Sequence, residues 1–532
     1  EIEESDYIIS WGKNSASDDG PQVMLHRIKE AQKRGAKLIV IDPRQEGLGK
    51  IADWWIPITP GSDGALALAM LKLIIDSGRY DHEFVEKYTR GFEEFKTYLD
   101  TQTMEQLSKW CGISVTDIEK LTDIFCSTAK IPLVAYTGLE YQLSAIQNNR
   151  AIFVLWAITG KLDAPGAIYL NAKGLETPKL FEIPEDDKPI GVDEFPLFYK
   201  FSGQGQFSRF PKAVLEDEPY PVRGLMILGG SPVLSFPDSK SWREAYKKLD
   251  CLIVLDRYFT EDARYADVVF PACSLFEVPK AVPGPEGPHI VEPLIEPVGE
   301  SKNDVLIMGA IAKKLGFGDK LPQTEEELRS WLLSGTAPYA GDFGTSADQK
   351  KEKHYKKYET GELRADGKPG FPTPSGKLEI CSTILEENGF VPYPEYKDVR
   401  SIPGLAGKEY PFTMTSGARS NNRMGVFGAN LDKIAEIEPY PFVDINAEDA
   451  KEIGIKDGDM VKVITPFADG TFKAKIRGIA RHAIHIPHGG GSAYMAEPWK
   501  NGNVNDLCSL DYADPMTGFV LIKSVPCRVE KV

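Results

Sequence analysis

Two aspartates, Asp42 and Asp256, each end an apolar run, in KLIVIDPRQEG and DCLIVLDRYFTED. A carboxylate at the tip of a strand can accept hydrogen bonds from a ribose or from the N–H edge of a base. Upstream of each, another apolar run breaks at small residues, YIISWGKNSA at Gly12 and Asn14 and GLMILGGSPV at Gly229, Ser231 and Pro232. Glycine there lets the backbone turn tightly and approach a ligand, and a helix beginning behind the turn offers unpaired amides and a positive dipole to a phosphate. The chemistry these residues suit is nucleotide binding, and it occurs twice.

Positioning such residues requires a strand, a small-residue turn, a helix and a second strand. MLHRIKEAQKRGA and SWREAYKKLD supply the helices, with apolar residues at helical spacing. Asp53 and Asp267 follow the strand-end aspartates at the same offset, and both read as caps at element edges rather than ligands. Any doubly wound α/β protein ends strands in Gly and Asp, so one unit alone would be uninformative. Four features recurring in order argue for two related nucleotide cradles.

The chain of 532 residues suffices for about three domains. Residues 1–170 form a first α/β unit and 171–405 a second with an irregular, Gly/Pro-containing extension. Residues 406–532 carry short strands, FVDIN, MVKVITP, FKAKIRG and HAIHIPHG, and read as a β-barrel. The fold class is therefore α/β plus β. The Asp-Gly pair of IKDGD is expected to make a hairpin turn. Trp54, Trp55 and Trp156 are expected in the core.

A net charge of −16 argues against a nucleic-acid or anionic-membrane partner, while leaving room for a local basic pocket. No apolar run reaches membrane-spanning length, and no basic n-region with an apolar h-region appears in this sequence, which begins Glu1-Ile2-Glu3 without a methionine; a cytoplasmic location is the expectation. The seven cysteines show no C-x-x-C and read as buried small hydrophobes. His482, His485 and His488 alternate in a way that suggests a metal, yet a strand sends His482 and His485 to opposite faces. No metal site is assigned to them.

The order of WGKN, IDPR, PGSDGALALA, GGSP, LDRYFTEDARYADVVFPA, TPSGKLEI, TSGARS, DINAEDAKEIGIKDGDMVKV and DPMTGF resembles the molybdopterin oxidoreductase superfamily typified by dimethyl sulfoxide reductase and bacterial formate dehydrogenases. The resemblance runs from about Tyr7 to the last residues. It implies molybdenum or tungsten held by two molybdopterin guanine dinucleotides, one on each α/β unit, capped by the barrel. On that resemblance Gly12 and Asn14 flank the first pyrophosphate or pterin, Asp42 and Arg44 the guanosine, and Gly61, Ser62 and Asp63 the base, with Gly138 also among the cofactor-binding residues. Gly229, Ser231 and Pro232 form the second turn, with Asp256 and Thr260 at the other guanosine. From the barrel come Thr415, Ser416, Gly417 and Arg419, with Asn505, Asp514 and Lys523 facing the cofactor. Gln147, Asn148, Asn149 and Arg150 fit either a substrate channel or capping and solvation.

The resemblance also implies two-electron oxo or hydroxo transfer on a small-molecule substrate, with an iron–sulfur electron-transfer subunit as a possible partner. Relatives carry a [4Fe-4S] domain and a Cys, selenocysteine, Ser or Asp metal ligand before the strand that here is YIISWGKN. Neither lies in this sequence, so the catalytic residues stay unassigned, and the chain is expected to be part of a larger catalytic subunit or a split member. AIYLNAKGLETPK stands where formate dehydrogenases carry an Arg-Gly-Gln-Asn-Asn segment, which counts against formate. A non-redox hydratase is one alternative, favoured by TSGARS and HGGG, which also resemble thiosulfate and polysulfide reductases. A cofactor-free structural subunit is the other, and the two retained strand-end aspartates, PGSD and TSGARS argue against it.

Overall fold

The computed structural model describes residues 1–17, 23–171, 188–282, 288–334, 353–418, 432–495 and 497–532. The first unit contains β1 (Tyr7–Trp11), β2 (Lys37–Ile41), β3 (Trp54–Ile56), β4 (Thr89–Arg90) and β5 (Leu133–Ala135). All but β4 form a parallel sheet in the order β3-β2-β1-β5. Its strands are apolar on both faces because helices cover both. Ile9, Ile39 and Ile41 pack on Leu66 and Met70 of the helix Asp63–Asp76, and Ile8, Leu38 and Val40 on Ile28 and Ala31 of the helix Val23–Lys33. Each such isoleucine, leucine, valine or methionine side chain, fully buried, contributes about 1.5–3 kcal/mol.

The second unit repeats the scheme with β6 (Gly224–Leu228), β7 (Cys251–Asp256) and β8 (Val268–Pro271), parallel in that order. The repetition extends to single hydrogen bonds. Gly12 N–H donates to Ile41 O at 3.1 Å, and Gly229 N–H to Leu255 O at 2.9 Å. Asp42 Oδ1 accepts from Arg44 N–H at 2.8 Å, and Asp256 Oδ1 from Tyr258 N–H at 2.9 Å. Asp53 accepts from Leu38 N–H at 2.9 Å, and Asp267 from Leu252 N–H at 2.7 Å, so both close a strand edge.

A ribbon of β9 (Lys280–Val282) and β10 (His289–Val291) follows, and β11 (Leu378–Glu379) then pairs with β4. That pairing draws part of the 171–405 extension onto the first unit, where Tyr358 and Phe371 pack against Phe84. The helix Ala145–Ala157 ties down the same stretch, with Arg150 donating to Ile380 O and Pro392 O, each at 2.7 Å, and Gln147 to Val391 O at 3.0 Å. Gln147 and Arg150 thus have structural work. Trp156 is buried, while Trp54 and Trp55 are half-buried; Trp55 Nε1 donates to Asp42 O at 2.9 Å and braces the strand end.

The last region is a closed barrel of β12 (Phe412–Thr415), β13 (Phe442–Ile445), β14 (Met460–Ile464), β15 (Asp469–Ile476), β16 (Ala483–His485) and β17 (Val525–Lys531). Its interior is filled by residues such as Met414, Val443, Val461 and Phe472. The IKDGD turn is a correction: it joins the helix Ala447–Glu452 to β14, and the β14–β15 hairpin closes instead at Thr465, whose N–H donates to Ala468 O at 2.9 Å. Asp459 accepts from Lys456 N–H, giving a local turn that has no partner strand on its N-terminal side. A second correction concerns the cysteines, since Cys251 is exposed at the head of β7 and only Cys111, Cys381, Cys508 and Cys527 are buried. No helix among the described residues is long and apolar enough to cross a membrane.

Candidate functional site

The barrel docks across the end of β2. Arg44 pairs with Ile479 in an isolated bridge, Gln45 N–H donates to Gly478 O at 2.8 Å, and Ala480 N–H to Pro43 O at 2.8 Å. Between them lies a cavity of about 740 Å³. Its floor is the first cradle, with Gly12 and Asn14 after β1, Asp42 and Arg44 after β2, and Gly61 and Asp63 at the head of the helix Asp63–Asp76. Gly138 closes one side, and Thr415, Ser416, Gly417 and Lys523 of the barrel form the roof.

Two turns meet closely in this floor. Gly138 N–H donates to Gly12 O at 3.0 Å, and a Cβ on Gly138 would lie 2.2 Å from that oxygen. Gly12 itself has φ +63°, the left-handed region that glycine enters without strain. Asn14 does not point free into the space alone, since its Oδ1 accepts from Leu48 N–H at 3.1 Å and fixes the loop after β2. Asp63 is bound on both oxygens, by Trp11 Nε1 at 2.8 Å and Gln142 Nε2 at 3.1 Å. Asn148 continues the chain by donating to Gln142 Oε1 at 2.7 Å. Burial pushes the Asp63 carboxyl up despite those two donors.

The roof contributes charge. Burial pushes the Lys523 ammonium down to about 8, with Glu140, Asp42 and Asp63 opposing the shift, and its Nζ donates to Thr137 O. Asp444 of β13 is buried beside Arg44, whose Nε lies 3.8 Å away, and Arg477, whose Nε lies 3.2 Å away. His485 of β16 faces the same carboxylate through Nδ1 at 3.1 Å and lines the cavity. His482 precedes β16 at φ +56° and is exposed, with Nδ1 3.6 Å from Asp449 Oδ1 rather than at this pair.

Of the other anticipated residues, Ser62 is buried behind the cavity with Oγ donating to Thr59 O at 2.7 Å. The second cradle stands apart. Among the described residues, nothing lies within 4 Å of a would-be Cβ at its Gly229 turn. Ser231 Oγ is held by buried Asp262, Pro232 opens the short helix Pro232–Ser235, and Thr260 Oγ1 caps Ala263 N–H at 3.3 Å. Asn505 joins the barrel to this unit by donating to Leu234 O at 2.7 Å. Asp514 instead accepts from Ile146 N–H at 3.3 Å and Thr517 N–H at 2.9 Å, outside the cavity. Arg419 lies outside the described residues.

Tyr136, Thr137 and Gln142 line the cavity without having been anticipated. They sit in YTGLEYQLSA beside Gly138, and no spacing in that stretch marks a ligand. His485 did carry a signal, its regular spacing from His482 and His488, though it pointed to metal rather than to Asp444.

Comparison with known proteins agrees with this architecture. Residues 1–314 match the family model described as molybdopterin oxidoreductase, and residues 413–526 that of the molydopterin dinucleotide binding domain. Probable oxidoreductase YoaE of Bacillus subtilis (strain 168) is 29% identical over 473 residues, 86% of this chain and 65% of that protein. Acetylene hydratase of Syntrophotalea acetylenica is 27% identical over 526 residues, 91% of this chain and 70% of its own length. The chain thus spans about two-thirds of these curated relatives. The solved structure of acetylene hydratase from Pelobacter acetylenicus superposes with a TM-score of 0.81 at 23% identity, covering 100% of this chain and 78% of that one. At that identity the likeness is one of fold.

Proposed function

This chain belongs to the molybdopterin oxidoreductase family, and on that premise we propose that its two α/β units each cradle one molybdopterin guanine dinucleotide beneath the barrel. The observation that carries the reading is the cavity where Gly12, Asp42 and Arg44 of the first unit meet Ser416, Gly417 and Lys523 of the barrel. Its donor set fits the group. Lys523 suits a pyrophosphate, Asp42 and Arg44 suit the donors and acceptors of a guanosine, and the Gly12 and Gly138 turns cross so closely that a Cβ on Gly138 would clash with Gly12 O. Arg44 Nε and His485 Nε2, both buried, have no hydrogen-bond partner among the described residues and await one from a ligand.

When bound, the cofactor would supply a molybdenum or tungsten centre for two-electron chemistry on a small substrate. The residues named here bind and orient it: Asn14 fixes the loop over the phosphates, and the Trp11–Asp63–Gln142–Asn148 chain keeps the floor rigid. The whole protein is read as a catalytic subunit whose metal ligand and [4Fe-4S] cluster come from a region outside this sequence, working with an iron–sulfur partner in the cytoplasm. A hydratase without net redox change is the second reading, favoured by the 27% identity to acetylene hydratase.

Mass spectrometry for Mo, W and Fe, with GMP released by acid hydrolysis, tests the proposal on protein purified from cells that make the cofactor. Two guanine nucleotides per chain are expected. Folded protein without nucleotide or metal would refute it. Substrate-dependent turnover of a redox dye, either reduction of its oxidised form or oxidation of its reduced form, separates the oxidoreductase from the hydratase, which would change neither.

A further inference from the structure

Asp444 and His485 form a pair, each 1% exposed, in the roof over the Asp42–Arg44 strand end. An ionised carboxylate can only accept, so His485 Nδ1, 3.1 Å from Asp444 Oδ2, carries the ring proton. Arg44 and Arg477, with Nε atoms 3.8 and 3.2 Å from the carboxylate, hold Asp444 ionised and oppose a second proton on the imidazole. Nε2 is thereby left as a bare acceptor, buried, without a partner among the described residues, on a residue that lines the cavity. A phosphate, which offers only acceptors, cannot satisfy it; an N–H or O–H donor can.

We propose that His485 is a specificity-determining acceptor that reads an N–H or O–H donor on the nucleoside end of the ligand in the first cradle, with Asp444 as the positioning residue that fixes its tautomer. The inference rests on the nucleotide reading above and adds which atom does the recognition. Arg44, reaching from the floor to within 3.8 Å of Asp444, places the pair at the strand-end aspartate rather than at the Gly12 turn.

The test compares the ring-nitrogen signals of histidine-labelled protein, cofactor-loaded and empty. His485 Nε2 should move toward the hydrogen-bonded range on loading, and Asp444→Asn should redistribute the tautomer in the empty protein. GMP retention supplies the second readout: His485→Leu should lose bound nucleotide about tenfold faster than wild type, and His485→Gln, which keeps an acceptor, should retain it. Titrating empty protein with GMP and with 2′,3′-dideoxyguanosine monophosphate identifies the donor. A shift with both assigns the base N–H, and a shift with GMP alone assigns a ribose hydroxyl. An unmoved Nε2 in loaded wild-type protein that does contain GMP overturns this inference alone. Absence of GMP from folded wild type overturns the nucleotide reading and this inference with it.

Discussion

Replacing His485 by glutamine should flatten the acid limb of the stability curve. Burial pushes the imidazole from 6.5 down to about 4; Arg44 adds to the shift and the bond to Asp444 opposes it. In the unfolded chain the ring takes up its proton as pH falls through its ordinary value, whereas in the folded protein it stays neutral down to about 4. Across that window the unfolded state binds more protons, so stability is fully present above the upper value and is lost as pH falls toward the lower one. The gap corresponds to about 3 kcal/mol at about 1.36 kcal/mol per pH unit. Asp444 leaves the window clear: burial works to raise its carboxyl, and the bond to His485 with Arg44 and Arg477 overcomes that and holds it below 3.8. Urea unfolding of wild type and His485→Gln, both without cofactor, from about pH 7.5 to about pH 4 gives the comparison. Wild type should lose about 3 kcal/mol relative to the variant. Parallel curves would refute the buried neutral histidine.

The crossed glycines make a steric prediction: Gly138→Ala forces a Cβ to 2.2 Å from Gly12 O, so it should cost about 1–3 kcal/mol and deplete GMP from the first cradle. Gly224→Ala, whose Cβ meets nothing closer than 3.6 Å, is the control, and equal behaviour of the two in urea and GMP assays would count against a tight cradle. The twin strand-edge aspartates should act locally. Asp53→Ala should raise hydrogen exchange in β2 and Asp267→Ala in β7, by about 1 kcal/mol each, and a signal spread over both units would contradict the repeat. Arg150→Met should free the stretch around Ile380 and Pro392, seen as about tenfold faster proteolytic cleavage there; an unchanged rate would show that Gln147 suffices.

The strand, turn, helix and aspartate units were legible because each part has a local cause. Apolar residues on both faces require a covered parallel sheet, Gly12 and Gly229 require left-handed turns, and a strand-end aspartate bonds its own turn two residues on. The barrel was legible from alternation for the same reason. What stayed hidden depends on contacts far apart in sequence. Asp444 and His485 meet because β13 and β16 are antiparallel neighbours, which no pattern within either strand reveals. The pairing of β11 with β4 likewise joins residues from distant parts of the chain, which no local pattern in either segment reveals. IKDGD failed differently: Asp-Gly specifies a turn, and whether the flanking element is strand or helix lies outside the dipeptide.

The two cradles share a scaffold and differ in what the barrel brings to them. At the first, residues 478–480 pair with the end of β2 while Ser416, His485 and Lys523 come down over the strand ends, so the cavity has an acidic and glycine-rich floor and a cationic roof with one neutral acceptor. At the second, Asn505 donates to Leu234 O and Asn503 to Ser239 Oγ, so the barrel grips the helices behind the turn, and no described residue comes within 4 Å of a Cβ on Gly229. Duplicated units alone would bind two identical nucleotide ends identically. If each unit holds one nucleotide end, as proposed, the described contacts of the barrel, which differ between the two units, rather than the repeats, would distinguish them.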